Sequence, residues 1–74
     1  MGMIMNLLGY EDAKQAERLL RQPGLDWLSA WEPGCYRALD SEGEELGFVH
    51  CSVAVAKVVN GCLIERQLSA GREV

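Results

Sequence analysis

The clearest hydrophobic pattern in the chain has a helical period and covers residues 11–22, EDAKQAERLLRQ. Its apolar positions recur every three or four residues: Ala13, Ala16, Leu19 and Leu20. This spacing places them on one face of a helix, with polar residues on the other. Glu11 and Asp12 suit the positive end of the helix dipole, and Pro23 and Gly24 end the segment. We therefore predict a helix over residues 11–22.

The next segment, LDWLSAWE at residues 25–32, lies between two Pro-Gly pairs. Leu25, Leu28 and Trp31 have the spacing of one helical face, and Trp27 stands one turn before Trp31. Pro and Gly are common helix terminators, so the flanking pairs fit a short element that is closed at both ends. The pattern predicts two turns of helix here.

Residues 35–51 read as a β-hairpin. Asp, Ser and Gly supply the turn, and Gly43 can take the left-handed conformation that a short loop requires. With residues 41–43 as the loop, the register pairs Ala38 with Leu46 and Tyr36 with Phe48. Cross-strand neighbours share a face of the sheet, so this register puts both aromatic rings on one side, where a helix can cover them.

Residues 52–68 carry two competing signals. Asn60-Gly61 between VAVAKVV and CLIERQL is a strong two-residue turn signal, and the β-branched residues favour strands. A second hairpin over residues 53–68 is therefore our preferred prediction, although the first strand would be unusually long. The alternative is a short helix that begins at Ser52 and ends at Gly61. We expect residues 69–74 to form a frayed tail.

Together these elements predict an α+β fold in a single small domain, residues 1–74. One or two short N-terminal helices would pack on a small antiparallel sheet made of the hairpins. A chain of 74 residues buries only about 60% of its unfolded surface, yet 49% of this chain is hydrophobic. Some of that apolar surface should stay exposed in a monomer. We therefore expect a partner surface or self-association into a homo-oligomer.

The charge pattern argues against nucleic acid as the partner. The formal net charge is −4, and nucleic-acid binding needs a basic face. A winged helix-turn-helix built from segments 11–22 and 25–32 is a further alternative, but its second helix would carry Asp26 and Glu32 and no Lys or Arg. The acidic cluster within residues 32–45 instead suits a partner protein with a basic surface.

The candidate chemical residues are one histidine and three cysteines: Cys35, His50, Cys51 and Cys62. They lack the paired spacing of zinc sites, and if residues 45–51 are extended, His50 and Cys51 point to opposite faces. A thiol or metal-binding protein that uses these four residues is the alternative function. No phosphate-binding glycine motif and no nucleophile-elbow motif is present. We expect no enzyme activity and no cofactor.

The resulting functional hypothesis is a small acidic protein-interaction module that inhibits or regulates a partner by occluding it. Composition alone associates such a chain with phages or mobile elements. An odd cysteine number, no secretory signal and no apolar run of membrane length predict a cytoplasmic protein. The candidate partner-binding residues are two closely spaced tryptophans, which could instead form a lid over the core, and three acids: Trp27, Trp31, Glu42, Glu44 and Glu45.

Overall fold

The protein is an α+β structure, as the sequence predicts. The structure is a computed structural model, and it describes residues 8–72. The elements follow one another as α1 (Tyr10–Leu20), β1 (Trp27–Glu32), β2 (Cys35–Leu39), β3 (Glu45–His50) and α2 (Val53–Arg72). The strands form one antiparallel sheet in the order β1-β2-β3.

The hydrophobic core lies between the two helices and one face of the sheet. The buried cluster takes residues from α1, from all parts of α2 that face inward, and from the strands: Ala16, Leu28, Ala38, Cys51, Val55, Ala56, Val58, Val59, Cys62 and Leu63. Tyr36 and Val49 pack against this cluster from the same side of the sheet. The helices therefore cover one sheet face only, which gives a two-layer arrangement.

Helix α1 confirms the prediction for residues 11–22. It starts one residue earlier, at Tyr10, and ends at Leu20, where Arg21 forms the C-cap. Glu11 and Asp12 occupy the first turn, next to the exposed backbone N–H groups. Ala16 is fully buried against the sheet and α2.

Residues 25–32 do not form the predicted helix. They form strand β1, and Pro33 and Gly34 make the tight turn into β2, with φ +77° at Gly34. Proline followed by a glycine of positive φ is the signature of a type II turn, so this pair connects two strands instead of terminating a helix. The winged helix-turn-helix arrangement consequently lacks its second helix.

The hairpin 35–51 is confirmed, but its predicted register is wrong by one residue. Asp40 closes the loop, since its carboxylate accepts the backbone N–H groups of Glu42 and Glu44 at 2.9 Å each. Gly43 has the expected left-handed conformation, with φ +81°. The longer loop and a bulge beside Leu39 shift the pairing to Ala38–Gly47, Arg37–Phe48 and Tyr36–Val49. A one-residue shift exchanges the two faces, so Phe48 lies opposite the helices and Tyr36 lies beneath them.

The predicted second hairpin, residues 53–68, is also wrong. These residues lie in α2, which begins after Ser52, whose hydroxyl accepts the backbone N–H of Val55 at 3.2 Å. The helical alternative is thus correct at its start, but the helix passes through Gly61 and runs to Arg72, into the segment predicted as a tail. Its inward-facing residues recur every three or four positions, and this tertiary burial outweighs the strand preference of valine.

Gly61 gives a first testable consequence of this helix. A Cβ atom at position 61 would meet no neighbouring heavy atom within 4 Å, and the residue is not among those with positive φ. Gly61→Ala should therefore raise the free energy of unfolding by about 0.5–1 kcal/mol, because alanine restricts the unfolded chain and favours helix. Thermal unfolding followed by circular dichroism measures this, and a lower midpoint than wild type would contradict helix at this position.

Within the described range, neither helix combines the length and the apolar composition needed to cross a membrane.

Candidate interaction surface on the sheet

The sheet face opposite the helices carries large aromatic side chains. We call this surface the open face and define it by Trp27, Trp31, Cys35, Arg37, Phe48 and His50. Trp31 is 57% exposed, Phe48 48% and Trp27 39%. Such large apolar groups are normally buried, and their concentration on one face marks it as a candidate docking surface.

Trp31 and Phe48 form the centre of the open face. Their ring centroids lie 5.6 Å apart with the planes tilted by 59°. They belong to the two outer strands, so the rings lean toward each other across β2. The guanidinium of Arg37 lies 5.4 Å from the Trp31 ring, and its Nε donates to Glu45 at 3.1 Å. This cation–π contact and ion pair hold the Trp31 ring in place.

A concavity of about 260 Å³ opens beside these rings, lined by Trp31, Glu32, Cys35, Phe48 and His50. Cys35 also lines this concavity, and it is only 5% exposed. His50 is its direct cross-strand partner. The concavity thus has aromatic walls, a buried thiol at its base, and the polar groups of Glu32 and His50.

The register sets the type of cross-strand pair that Cys35 and His50 form. The backbone N–H of Cys51 donates to the carbonyl of Gly34 at 3.2 Å, so residues 34 and 51 form a hydrogen-bonded pair. The adjacent pair, Cys35 and His50, is then the non-hydrogen-bonded type, in which facing side chains approach most closely. The carbonyl of His50 points outward and accepts the side-chain amide of Gln15 at 2.9 Å.

The four candidate chemical residues separate into two pairs. Cys51 and Cys62 lie in the core, whereas Cys35 and His50 lie on the open face. His50 and Cys51 therefore diverge, as expected for neighbours in extended chain. Over residues 8–72 no group of three or more His, Cys, Asp or Glu side chains is arranged to hold a metal ion. Because Cys35 is buried, the surface is better suited to binding than to nucleophilic attack.

Because of the two core thiols, the free energy of unfolding should fall at alkaline pH. Burial raises the pKa of Cys51 above its ordinary value of 9.0, and the Asp12 carboxylate adds to the shift. Burial also raises the pKa of Cys62, and Glu65 adds to that shift. The folded state holds both protons more tightly than the unfolded chain. The contribution of these two thiols to the free energy of unfolding is therefore complete below their ordinary pKa. It is lost as the pH rises through their pKa in the folded state.

We expect the urea midpoint of the wild type to fall as the pH rises above about 9. The double variant Cys51→Ala, Cys62→Ala should be less stable at neutral pH but should lose less stability on the same alkaline titration. All other ionisable groups are the same in both proteins, so the difference in slope isolates the two thiols. Equal slopes would contradict this prediction.

The acidic candidates lie at the far end of the hairpin. Glu42 and Glu44 are exposed in the loop between β2 and β3, and Glu45 starts β3 in its ion pair with Arg37. Among residues 8–72 this is the one ion pair within 4 Å, so Glu42, Glu44 and Glu32 have no cationic partner there. No described residue neutralises these three charges by an ion pair.

Phe48, Arg37 and the Cys35–His50 pair are the members of the surface that sequence reasoning missed. The incorrect register placed Phe48 beside Tyr36, beneath a helix. Reading Pro33-Gly34 as a two-residue hairpin turn, with alternating residues on both sides, would have placed Trp31 on a strand.

Comparison of the chain with protein-family models, with curated proteins and with solved structures finds no match.

Proposed function

We propose that this chain is a small protein-interaction module that binds a partner protein through the open face of its sheet. The observation that carries the proposal is the group of Trp27, Trp31 and Phe48, exposed on the sheet face that the helices leave uncovered. Tryptophan and arginine are enriched among the residues that dominate binding energies, and this face holds Arg37 near the Trp31 ring.

The charge favours protein over nucleic acid as the partner. Stacking aromatics on a sheet also occur in single-strand nucleic-acid binders, but those surfaces track the phosphate backbone with a basic groove. Here Arg37 is neutralised by Glu45, and the chain carries a net charge of −4. Repulsion between Glu32 and phosphate would oppose such binding.

The proposed module acts by occupancy alone. Binding would cover a surface on the partner and thereby inhibit or regulate it, in the cytoplasm, with no reaction carried out by this chain. The partner's buried apolar contacts would supply the affinity, and the acidic residues would orient the approach.

Replacing Trp31 and Phe48 together with alanine should abolish binding and leave the fold intact. Both side chains are about half exposed and lie outside the core cluster, so their loss should have little effect on the thermal midpoint. Affinity capture from cells of the source organism, with the tagged wild type and this double variant, provides the measurement. We expect partner proteins that the wild type retains and the variant loses.

A matched control uses apolar residues on the helical side. Ile64 and Leu68 are 43% and 58% exposed on α2. The double variant Ile64→Ala, Leu68→Ala removes a similar kind of surface and should retain the same proteins as wild type. Capture that is equal for both double variants would contradict binding through the open face.

A further inference from the structure

We infer that the partner of the open face is a basic chain segment with one large apolar anchor residue. This inference rests on the proposed function and names the chemistry of the partner. The anchor enters the concavity beside Trp31 and Phe48, and Lys or Arg side chains on the same segment face Glu32 and the loop acids Glu42 and Glu44.

The volume of the concavity favours a single side chain over a small molecule as its occupant. Its volume is about 260 Å³. Small-molecule sites are usually about 300–1,000 Å³ and enclose most of their ligand. This concavity is smaller and opens on the sheet surface, so it suits one apolar side chain delivered by a longer segment. Contact with the Trp31 and Phe48 rings would provide the affinity.

The acidic residues that form no ion pair within the described chain favour a partner segment with basic residues near that anchor. Glu32 borders the concavity itself, whereas Glu42 and Glu44 lie beyond the other end of β2. From Cys35 to Asp40 the strand covers about 17 Å, at roughly 3.3 Å per residue. An extended segment needs about five residues to cross that distance. One basic residue beside the anchor and another about five residues away would therefore meet both acidic positions.

The available area favours a segment over a second copy of this chain. Three strands about 4.8 Å apart and about six residues long present a face of roughly 300 Å². A stable interface between two globular partners buries about 800 Å² on each. Face-to-face packing of two copies would stay well below that value, whereas a short segment fits within it.

The test is selection of a displayed library of random short peptides on the immobilised full-length chain. Dissociation constants of enriched synthetic peptides are then measured for three double or triple variants. The pocket variant is Trp31→Ala, Phe48→Ala, the charge variant is Glu32→Gln, Glu42→Gln, Glu44→Gln, and the control is Ile64→Ala, Leu68→Ala. Circular dichroism checks each fold, and the charge variant changes only exposed side chains.

We expect enriched peptides that combine Lys or Arg with Trp, Phe, Leu or Met. The pocket variant should bind them about thirtyfold more weakly or worse, as for the loss of central hot-spot contacts. The charge variant should bind about two- to tenfold more weakly and respond less to added salt, and the control should bind like wild type.

Three kinds of result would overturn the inference. Peptides that need the pocket but lack basic residues, or that bind the charge variant equally well, would overturn the partner chemistry and leave the proposed docking face standing. Enriched peptides insensitive to the pocket variant, or no enrichment, would remove support for both. A dimer of the free chain that the pocket variant dissociates, seen by analytical ultracentrifugation, would make a second copy the occupant.

Discussion

Leu28→Ala is expected to lower the free energy of unfolding by about 2–5 kcal/mol, as for other large-to-small changes at fully buried positions. Leu28 is 2% exposed and points from β1 into the core between the helices and the sheet. Small domains are stable by about 0.05–0.15 kcal/mol per residue, or roughly 4–11 kcal/mol for a chain of 74 residues. The variant should therefore lose a large share of its stability.

Urea denaturation followed by circular dichroism provides the measurement, and Ser29→Ala provides the control in the same strand. Ser29 lies on the other face and outside the core, so its substitution should change stability by less than about 0.5 kcal/mol. The comparison also tests the strand assignment. A helix over residues 25–32 would place Leu28 and Trp31 on one face with similar burial. Equal losses for Leu28→Ala and Trp31→Ala would therefore contradict β1.

The elements that sequence reasoning predicted correctly are those with local signals. Helix α1 has a clear apolar stripe with acids at its start and Pro-Gly after its end, and all of these lie within its own segment. The hairpin 35–51 was recognisable from its turn residues, and Gly43 adopts the expected conformation. Local propensity and tertiary structure agree in these segments.

The errors arose where tertiary contacts decide the structure. In α2, valines and Asn60-Gly61 locally favour strands and a turn, but a helix places Val55, Val59 and Cys62 together in the core. In the hairpin, the register depends on a bulge and on the Asp40 loop contacts, which the alternation pattern does not reveal.

The candidate surface was predictable only in part, for the same reason. Trp27 and Trp31 are predicted as partner-binding residues because tryptophan is enriched among the residues that dominate binding energies, whatever the local structure. Whether they share a face with Phe48 depends on the register of three strands. The one-residue error in the hairpin therefore hid the aromatic cluster and the Cys35–His50 pair.

Replacing Asn60 should have the second large effect on the free energy of unfolding, because its side chain hydrogen-bonds the backbone at the outer edge of β1. Its side-chain amide accepts the backbone N–H of Leu28 at 2.9 Å and donates to the carbonyl of the same residue at 3.0 Å. The amide thus occupies the position of a neighbouring strand. Asn60→Ala leaves both partly buried backbone groups without these partners, which costs about 1–3 kcal/mol. The better helix propensity of alanine offsets at most about 0.7 kcal/mol of that loss.

We therefore expect a clear net decrease in the urea midpoint for Asn60→Ala and faster hydrogen exchange at the Leu28 amide. Asn60→Asp is the matched variant, because it keeps the accepting oxygen and removes the donor. Its Leu28 amide should remain more protected than in Asn60→Ala. Gly61→Ala, at the next position of α2, should change stability in the opposite direction. If Asn60→Ala were as stable as wild type, the hydrogen bonds between Asn60 and Leu28 would not be what stabilises the packing of β1 against α2.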